Sequence, residues 1–145
     1  MKQAESAVPR PDDVYFFATC VVDQFFPGAG MDAITLLERE GIRVHFPEEQ
    51  TCCGQPAYTS GFPDEARKVA AHQLTLFPND WPVVVPSGSC AGMMKHHYPT
   101  LFAADPVRKA QAEALSARIY ELTDFLVNVL NFQPEDKGSD CTVVL

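Results

Sequence analysis

The chain has 145 residues, of which 46% are hydrophobic and 21% charged, a composition typical of one globular domain with its own core. A formal net charge of −8, with lysine and arginine scattered along the chain, argues against a nucleic-acid partner, which would require a basic patch. No apolar stretch reaches the roughly 18 residues of a membrane span, and the N-terminus has no signal-peptide core, so we predict a cytoplasmic protein without a transmembrane segment.

The first half of the chain alternates strand and helix signals. Residues 1–13 carry two prolines and three acids and predict a flexible N-terminus. Residues 14–18 are a short apolar run typical of a buried strand, and residues 42–46 predict a second strand that ends before Pro47. Between them, a loop with proline and glycine leads to a predicted helix over residues 31–40. In that loop we expect Phe25 and Phe26 to be buried in the core, the alternative being an apolar cover over a cofactor.

The second half continues the alternation. A helix is predicted over residues 63–77, a strand over 82–85, and a short helix capped by Ser87 or Ser89. Residues 106–130 predict mostly helix, and residues 142–145 resemble a strand cut off as it begins, which suggests a fragment of a longer protein. The sequence therefore predicts an α/β fold with a parallel sheet and βαβ crossovers.

Four cysteines each follow a predicted strand. Cys20 follows the first strand, Cys52 and Cys53 follow the second, and Cys90 follows the third. Since the carboxyl ends of parallel strands share one edge of a sheet, the three loops should converge there. Neighbouring side chains diverge along a strand, so the adjacent pair can serve one centre only if the backbone folds back, which Gly54 permits through a positive φ.

Converging cysteines in a reducing compartment point to soft-ligand chemistry. Thiolates select iron–sulfur clusters, zinc or copper(I). A disulfide framework fits poorly, because the chain has five cysteines and no secretory signal. We assign the fifth, Cys141, to packing.

The context of these cysteines resembles a known family. Phe-Ala-Thr-Cys ends at Cys20, Cys-Cys-Gly-Gln-Pro begins at Cys52, and Pro-Ser-Gly-Ser-Cys ends at Cys90. Together these motifs resemble the lactate utilization protein A family, among the cysteine-rich CCG-domain iron–sulfur oxidoreductases related to heterodisulfide reductase. The resemblance implies a CCG-type domain over residues 14–145, the N-terminal half of a protein with two such motifs.

The resemblance also implies a function. Family members are iron–sulfur oxidoreductase subunits of L-lactate oxidation to pyruvate, which work by electron transfer with a second iron–sulfur subunit and an accessory protein. Carried onto this sequence, it implies an iron–sulfur cluster with Gly54 beside the metal ligands, which are Cys20, Cys52, Cys53 and Cys90. By analogy with ordinary four-thiolate ligation we expect a [4Fe-4S] cluster, and we expect a chain prepared in air to lose it. Met93 stands where the wider pattern has another cysteine, so four ligands are expected.

Three alternatives remain open. Cys52 and Cys53 could form a structural zinc scaffold without redox activity, aided by one of four histidines, which are His45, His72, His96 and His97. The same two cysteines could form a thiol–disulfide switch, although a bridge between neighbours is strained. An exposed strand at the sheet edge could pair with a second copy, which would give a homodimer.

Overall fold

The structure is a computed structural model that describes residues 9–135 and residue 138. Its centre is a four-stranded parallel sheet with the spatial order β2-β1-β3-β4. The strands are β1 (Asp13–Phe16), β2 (Arg43–His45), β3 (Val83–Val85) and β4 (Ile119–Glu121). The predicted α/β class with a parallel sheet is confirmed. Cys141 and the strand expected at 142–145 lie outside the described residues.

Helical segments connect and follow the strands. They are α1 (Cys20–Phe25), α2 (Pro27–Arg39), α3 (Gln55–Thr59), α4 (Pro63–Gln73), α5 (Gly88–Gly92), a π-helical turn (Met93–His97), α6 (Tyr98–Leu101), α7 (Pro106–Ser116), α8 (Leu122–Asp124) and a second π-helical turn (Phe125–Val129). No helix among the described residues is both long enough and apolar enough to cross a membrane.

Helices cover both faces of the sheet. Alternate strand residues point to opposite sides, so Val14 and Phe16 face one layer while Tyr15 and Val83 face the other. The first layer holds α2 and the second π-helical turn, and the other layer holds α4 to α7. Both faces are therefore dry, as parallel sheets require.

Two predictions at the ends of the sheet are wrong. Residues 119–121 were expected to be helical but form β4, which pairs with β3 through Val84 and Tyr120. Residues 20–25, expected to be a loop, form α1, which buries no residue. Phe25 ends this surface helix and Phe26 follows it, so they are 72% and 61% exposed rather than part of the core.

The strand order creates a crevice at one end of the sheet. The chain moves from β1 outward to β2, then crosses back to β3 on the other side of β1. At such a reversal the connections after the two central strands diverge, and ligands of open α/β sheets bind between them. Cys20 and Cys90 lie in the connections that leave β1 and β3.

Candidate metal centre

The loop that carries the adjacent cysteines is tied to the end of β1. The Gln50 side chain accepts a hydrogen bond from the Ala18 N–H (2.9 Å) and donates one to the Phe16 carbonyl (3.1 Å). This amide thus satisfies the strand's last backbone groups, as a neighbouring strand would. The chain beyond β2 is thereby brought across to the crevice, with Cys52 beside Cys20.

Cys20 and Cys52 form a half-exposed pair, here called the outer pair. Their sulfur atoms are 3.8 Å apart, and both thiols are free. The Gly54 N–H points at the Cys52 sulfur, 3.4 Å away. Burial and the contact with Cys52 raise the pKa of Cys20, so its thiol keeps its proton until a metal or another electrophile displaces it.

Cys53 and Cys90 form a buried pair, here called the inner pair. Each of these thiols shifts the pKa of the other. Interaction with Cys53, and then with the Ser87 and Ser89 hydroxyls, lowers the pKa of Cys90 to about 6. Interaction with Cys90, together with burial, raises the pKa of Cys53. The two thiols therefore titrate as one coupled pair.

Gly54 makes the turn that splits the adjacent cysteines between the two pairs. Its φ is +87°, as the sequence predicted, and α3 begins at the next residue. A Cβ at this position would lie 3.3 Å from the Ala66 carbonyl oxygen. Only glycine fits this backbone without strain and without crowding α4. As a result the Cys52 side chain turns towards Cys20 and the Cys53 side chain turns towards Cys90.

Thr19 adds a second unusual backbone position, directly before Cys20. Its φ is +57°, which is rare for a β-branched residue, and it is almost fully buried. Its hydroxyl oxygen accepts a hydrogen bond from the Val22 N–H at 3.3 Å and so caps α1. The strained residue thus starts α1 immediately at the end of β1, with Cys20 as its first residue.

Two buried polar side chains hold the cysteine loop from behind. The Tyr98 hydroxyl donates to the Cys53 carbonyl at 2.8 Å. The Gln73 amide donates to the Thr51 hydroxyl at 2.7 Å and approaches the Cys52 carbonyl at 3.5 Å. Sequence reasoning missed both residues. Gln73 could have been found, because it continues the apolar stripe of α4, where a polar residue is unexpected.

Tyr98 could not have been found from helical periodicity. It follows a π-helical turn, which changes the angular position of every residue after it relative to Cys90. Such turns are rare and often occur at functional sites. The turn brings the Tyr98 ring, which is fully buried, beneath the adjacent cysteines.

Three of the four histidines considered for zinc have other contacts, and one of these is the packing of His97 against the Tyr58 ring. His45 contacts Asp13 (2.8 Å) and stacks on Trp81, while His72 bonds the Glu49 carbonyl. The spacing of the outer pair equals the roughly 3.8 Å edge of a tetrahedron built with Zn–S bonds of about 2.3 Å. That spacing alone does not make a zinc site, which needs more than two ligands. Within residues 9–135 and 138, no group of three or more histidines, cysteines or acids is placed so that it could hold a single metal ion. The donors form two thiol pairs instead.

The donor chemistry nevertheless fits a cluster better than a hard cation. All four donors are sulfur atoms at one edge of the sheet: Cys20 begins α1, Cys52 and Cys53 lie in the loop before α3, and Cys90 lies in α5. N–H and hydroxyl donors surround them and can stabilise negative charge on sulfur. A four-iron cluster spreads its thiolates over a larger volume than a single ion does, which suits two separate pairs.

Comparisons with known proteins find one family and a group of similarly named relatives. The family described as Cysteine-rich domain (CCG) matches residues 14–95. A protein named Lactate utilization protein A from Shouchella clausii (strain KSM-K16) is 48% identical over 129 residues, which are 89% of this chain and 53% of that protein. Another of that name, from Anoxybacillus flavithermus (strain DSM 21510 / WK1), is 46% identical over 127 residues, covering 88% and 52%.

A third protein of this name, from Halalkalibacterium halodurans (strain ATCC BAA-125 / DSM 18197 / FERM 7344 / JCM 9153 / C-125), is 50% identical over 117 residues, which cover 81% of this chain and 48% of that protein. The chain thus spans about half the length of the curated relatives it matches. No solved structure matches it.

Proposed function

We propose, from the premise that the chain belongs to the cysteine-rich CCG domain family, that it is an iron–sulfur subunit of a system that oxidises L-lactate to pyruvate. Cys20, Cys52, Cys53 and Cys90 would hold the cluster, a [4Fe-4S] centre. When bound, such a centre accepts and releases single electrons. The lactate assignment derives from the relatives' names, and the cluster from the cysteines themselves.

One observation carries the proposal: four thiols from three distant segments meet as two pairs in the crevice beyond β1 and β3. Chance burial of small apolar side chains would not give both pairs at the ligand-binding edge of the sheet. Nor would it surround them with donors from Gly54, Ser87 and Ser89.

The residues around the site have separable tasks in this proposal. Ser87 and Ser89 stabilise the Cys90 thiolate, and the Gly54 N–H does the same for Cys52. Each such donor favours the more negative, reduced state of a thiolate-ligated centre and so raises its potential. The inner pair is shielded from water, whereas the outer pair is partly exposed to solvent. A redox partner could therefore approach the site from the side of the outer pair.

We further propose that the chain works in the cytoplasm, together with a second iron–sulfur subunit and an accessory protein. Reducing conditions there keep thiols free for ligation. The lactate-oxidising step itself is assigned to the assembled system, with this chain as its electron-transfer component.

Anaerobic purification followed by iron and sulfide quantification and EPR tests the proposal. We expect a brown protein with about four irons and four sulfides per chain. Cys53→Ser should lose most of the iron, because it removes a buried ligand. Cys141→Ser is the matched control, since it removes a thiol outside the three motifs, and it should keep full iron content.

The alternatives predict other results from the same samples. Stoichiometric zinc without acid-labile sulfide would replace the cluster proposal with the structural zinc module. A metal-free protein after anaerobic reconstitution, with a redox-dependent mass change of two protons, would replace it with a thiol–disulfide switch.

A further inference from the structure

A groove runs from the outer pair to an apolar recess between α1 and α2. Its first part is a cavity of about 360 Å³ beside Cys20 and Cys52. Its second part is a recess of about 120 Å³, whose walls include Val22, Met31 and Ile34. The two parts share lining residues, which are Ala18, Asp23 and Phe46, so they form one continuous depression.

Large apolar side chains stand exposed along this groove. Met31 is 61% exposed and Phe46 is 45% exposed, although both line the apolar part. Phe25 and Phe26 do not line the groove, but they are exposed directly before Pro27, which does line the recess. Isolated exposed apolar residues are ordinary, but a group of them around a recess marks a surface that is covered by another molecule.

The negative charge around the groove limits which kinds of molecule can bind there. Residues 11–38 and 44–66, which supply every residue that lines it, contain no lysine or arginine. Asp23 and Glu48 lie in the walls of the cavity itself. A second copy of this chain, with its net charge of −8, would be repelled, and so would an anionic membrane. A small carboxylate such as lactate meets the same repulsion.

We propose that this groove docks a protein partner whose contact surface places an apolar side chain within a ring of lysines and arginines. The apolar side chain enters the recess beside Met31 and Phe46, and a cationic side chain approaches Asp23 and Glu48. This inference deepens the proposed function and rests on it for the partner's identity, the second iron–sulfur subunit. Docking there closes the exposed side of the outer pair.

The assay measures binding of the purified second iron–sulfur subunit of the lactate system to the full chain under anaerobic conditions. We expect Asp23→Lys/Glu48→Lys to weaken binding about tenfold or more at low salt, with a smaller difference at about 0.5 M salt, since charge pairs are screened. Met31→Ser/Phe46→Ser should weaken binding to a similar degree at both salt concentrations, because the apolar contact is not screened.

Matched controls lie on α7, which packs on the other face of the sheet. Glu113→Lys reverses an exposed acid and Val107→Ser removes an apolar side chain that is 70% exposed. Both should bind like the parent. Circular dichroism of every variant verifies folding, and either groove variant alone is sufficient for the test if the other does not fold.

The outcomes separate this inference from the proposed function, because iron and sulfide are measured on the same samples. A parent chain that carries the cluster but binds no partner, or groove variants that bind like the parent, would overturn the docking proposal alone. Binding that depends on the groove in a chain without iron would support docking and overturn the cluster. Light scattering could also show that the chain associates with itself and that the groove variants abolish this association. That result would overturn the proposal of a basic partner protein, because the groove would then bind a second copy of the chain.

Discussion

Replacing Gly54 with alanine tests whether the turn between the two thiol pairs depends on glycine. At a φ of +87°, an alanine is strained by roughly 1–2 kcal/mol, partly offset by about 0.4–1 kcal/mol from its less flexible unfolded chain. The new Cβ would also lie 3.3 Å from the Ala66 carbonyl oxygen and 3.6 Å from Val69, so α4 must give way. We expect Gly54→Ala to lower the free energy of unfolding by about 2 kcal/mol.

Two other glycines separate these contributions. Gly61 has a φ of +84° but open space around it, so Gly61→Ala should cost only the strain, about 1 kcal/mol. Gly28, at the start of α2, has neither a positive φ nor a close neighbour, and Gly28→Ala should be neutral or stabilising by up to about 1 kcal/mol.

Urea denaturation of the metal-free chains measures all three free energies of unfolding, and iron content after reconstitution reports on the thiols. Gly54→Ala should rank below Gly61→Ala in stability and should also bind less iron, because its turn positions both pairs. If Gly54→Ala matched Gly61→Ala in stability and the parent in iron content, the assigned role of this turn would be wrong.

Three further predictions concern stability. Tyr98→Phe removes the donor to the buried Cys53 carbonyl, and we expect urea denaturation to show a loss of about 1–3 kcal/mol. Leu37→Ala empties a fully buried position in the core and should cost about 2–5 kcal/mol in the same assay. The hydrogen bond from Arg43 holds the pKa of Asp13 well below its usual range, so Asp13 stabilises the fold when ionised. Asp13→Asn should therefore melt below the parent at pH 7, and the gap should narrow as the pH falls below about 4, where the unfolded carboxyl takes up its proton.

The fold class could be predicted from the sequence because its main signals are local. The buried strands β1 and β3 are continuous apolar runs, and α2 and α4 show a helical stripe. β4 could not be predicted, since three residues show no periodicity and its pairing with β3 defines it. α1 was missed because it is short and buries nothing, so no apolar stripe marks it.

The parts of the candidate site that depend on strand order could be predicted from the sequence. The parts that depend on contacts between distant residues could not. Strand ends placed the cysteine loops together, and Gly54 indicated the turn. The placement of the cysteine loop also involves Gln50 and Tyr98, whose hydrogen-bond partners lie 34 and 45 residues away. The expected side-chain cap from Ser87 is not formed; its hydroxyl contacts Ser89 and Cys90 instead. Ligation by the four thiols stays a prediction.

The unequal burial of the thiols makes the site chemically asymmetric. Cys20 and Cys52 are accessible from the groove, whereas Cys53 and Cys90 are enclosed by the sheet and its helices. An alkylating reagent should therefore reach Cys20 and Cys52 first, even though the lowered pKa makes Cys90 the stronger nucleophile. Oxygen should oxidise the metal-free chain by joining Cys20 and Cys52 in a disulfide, with loss of two protons and two electrons, while Cys53 and Cys90 stay thiols; a thiol reductant should then restore the outer pair.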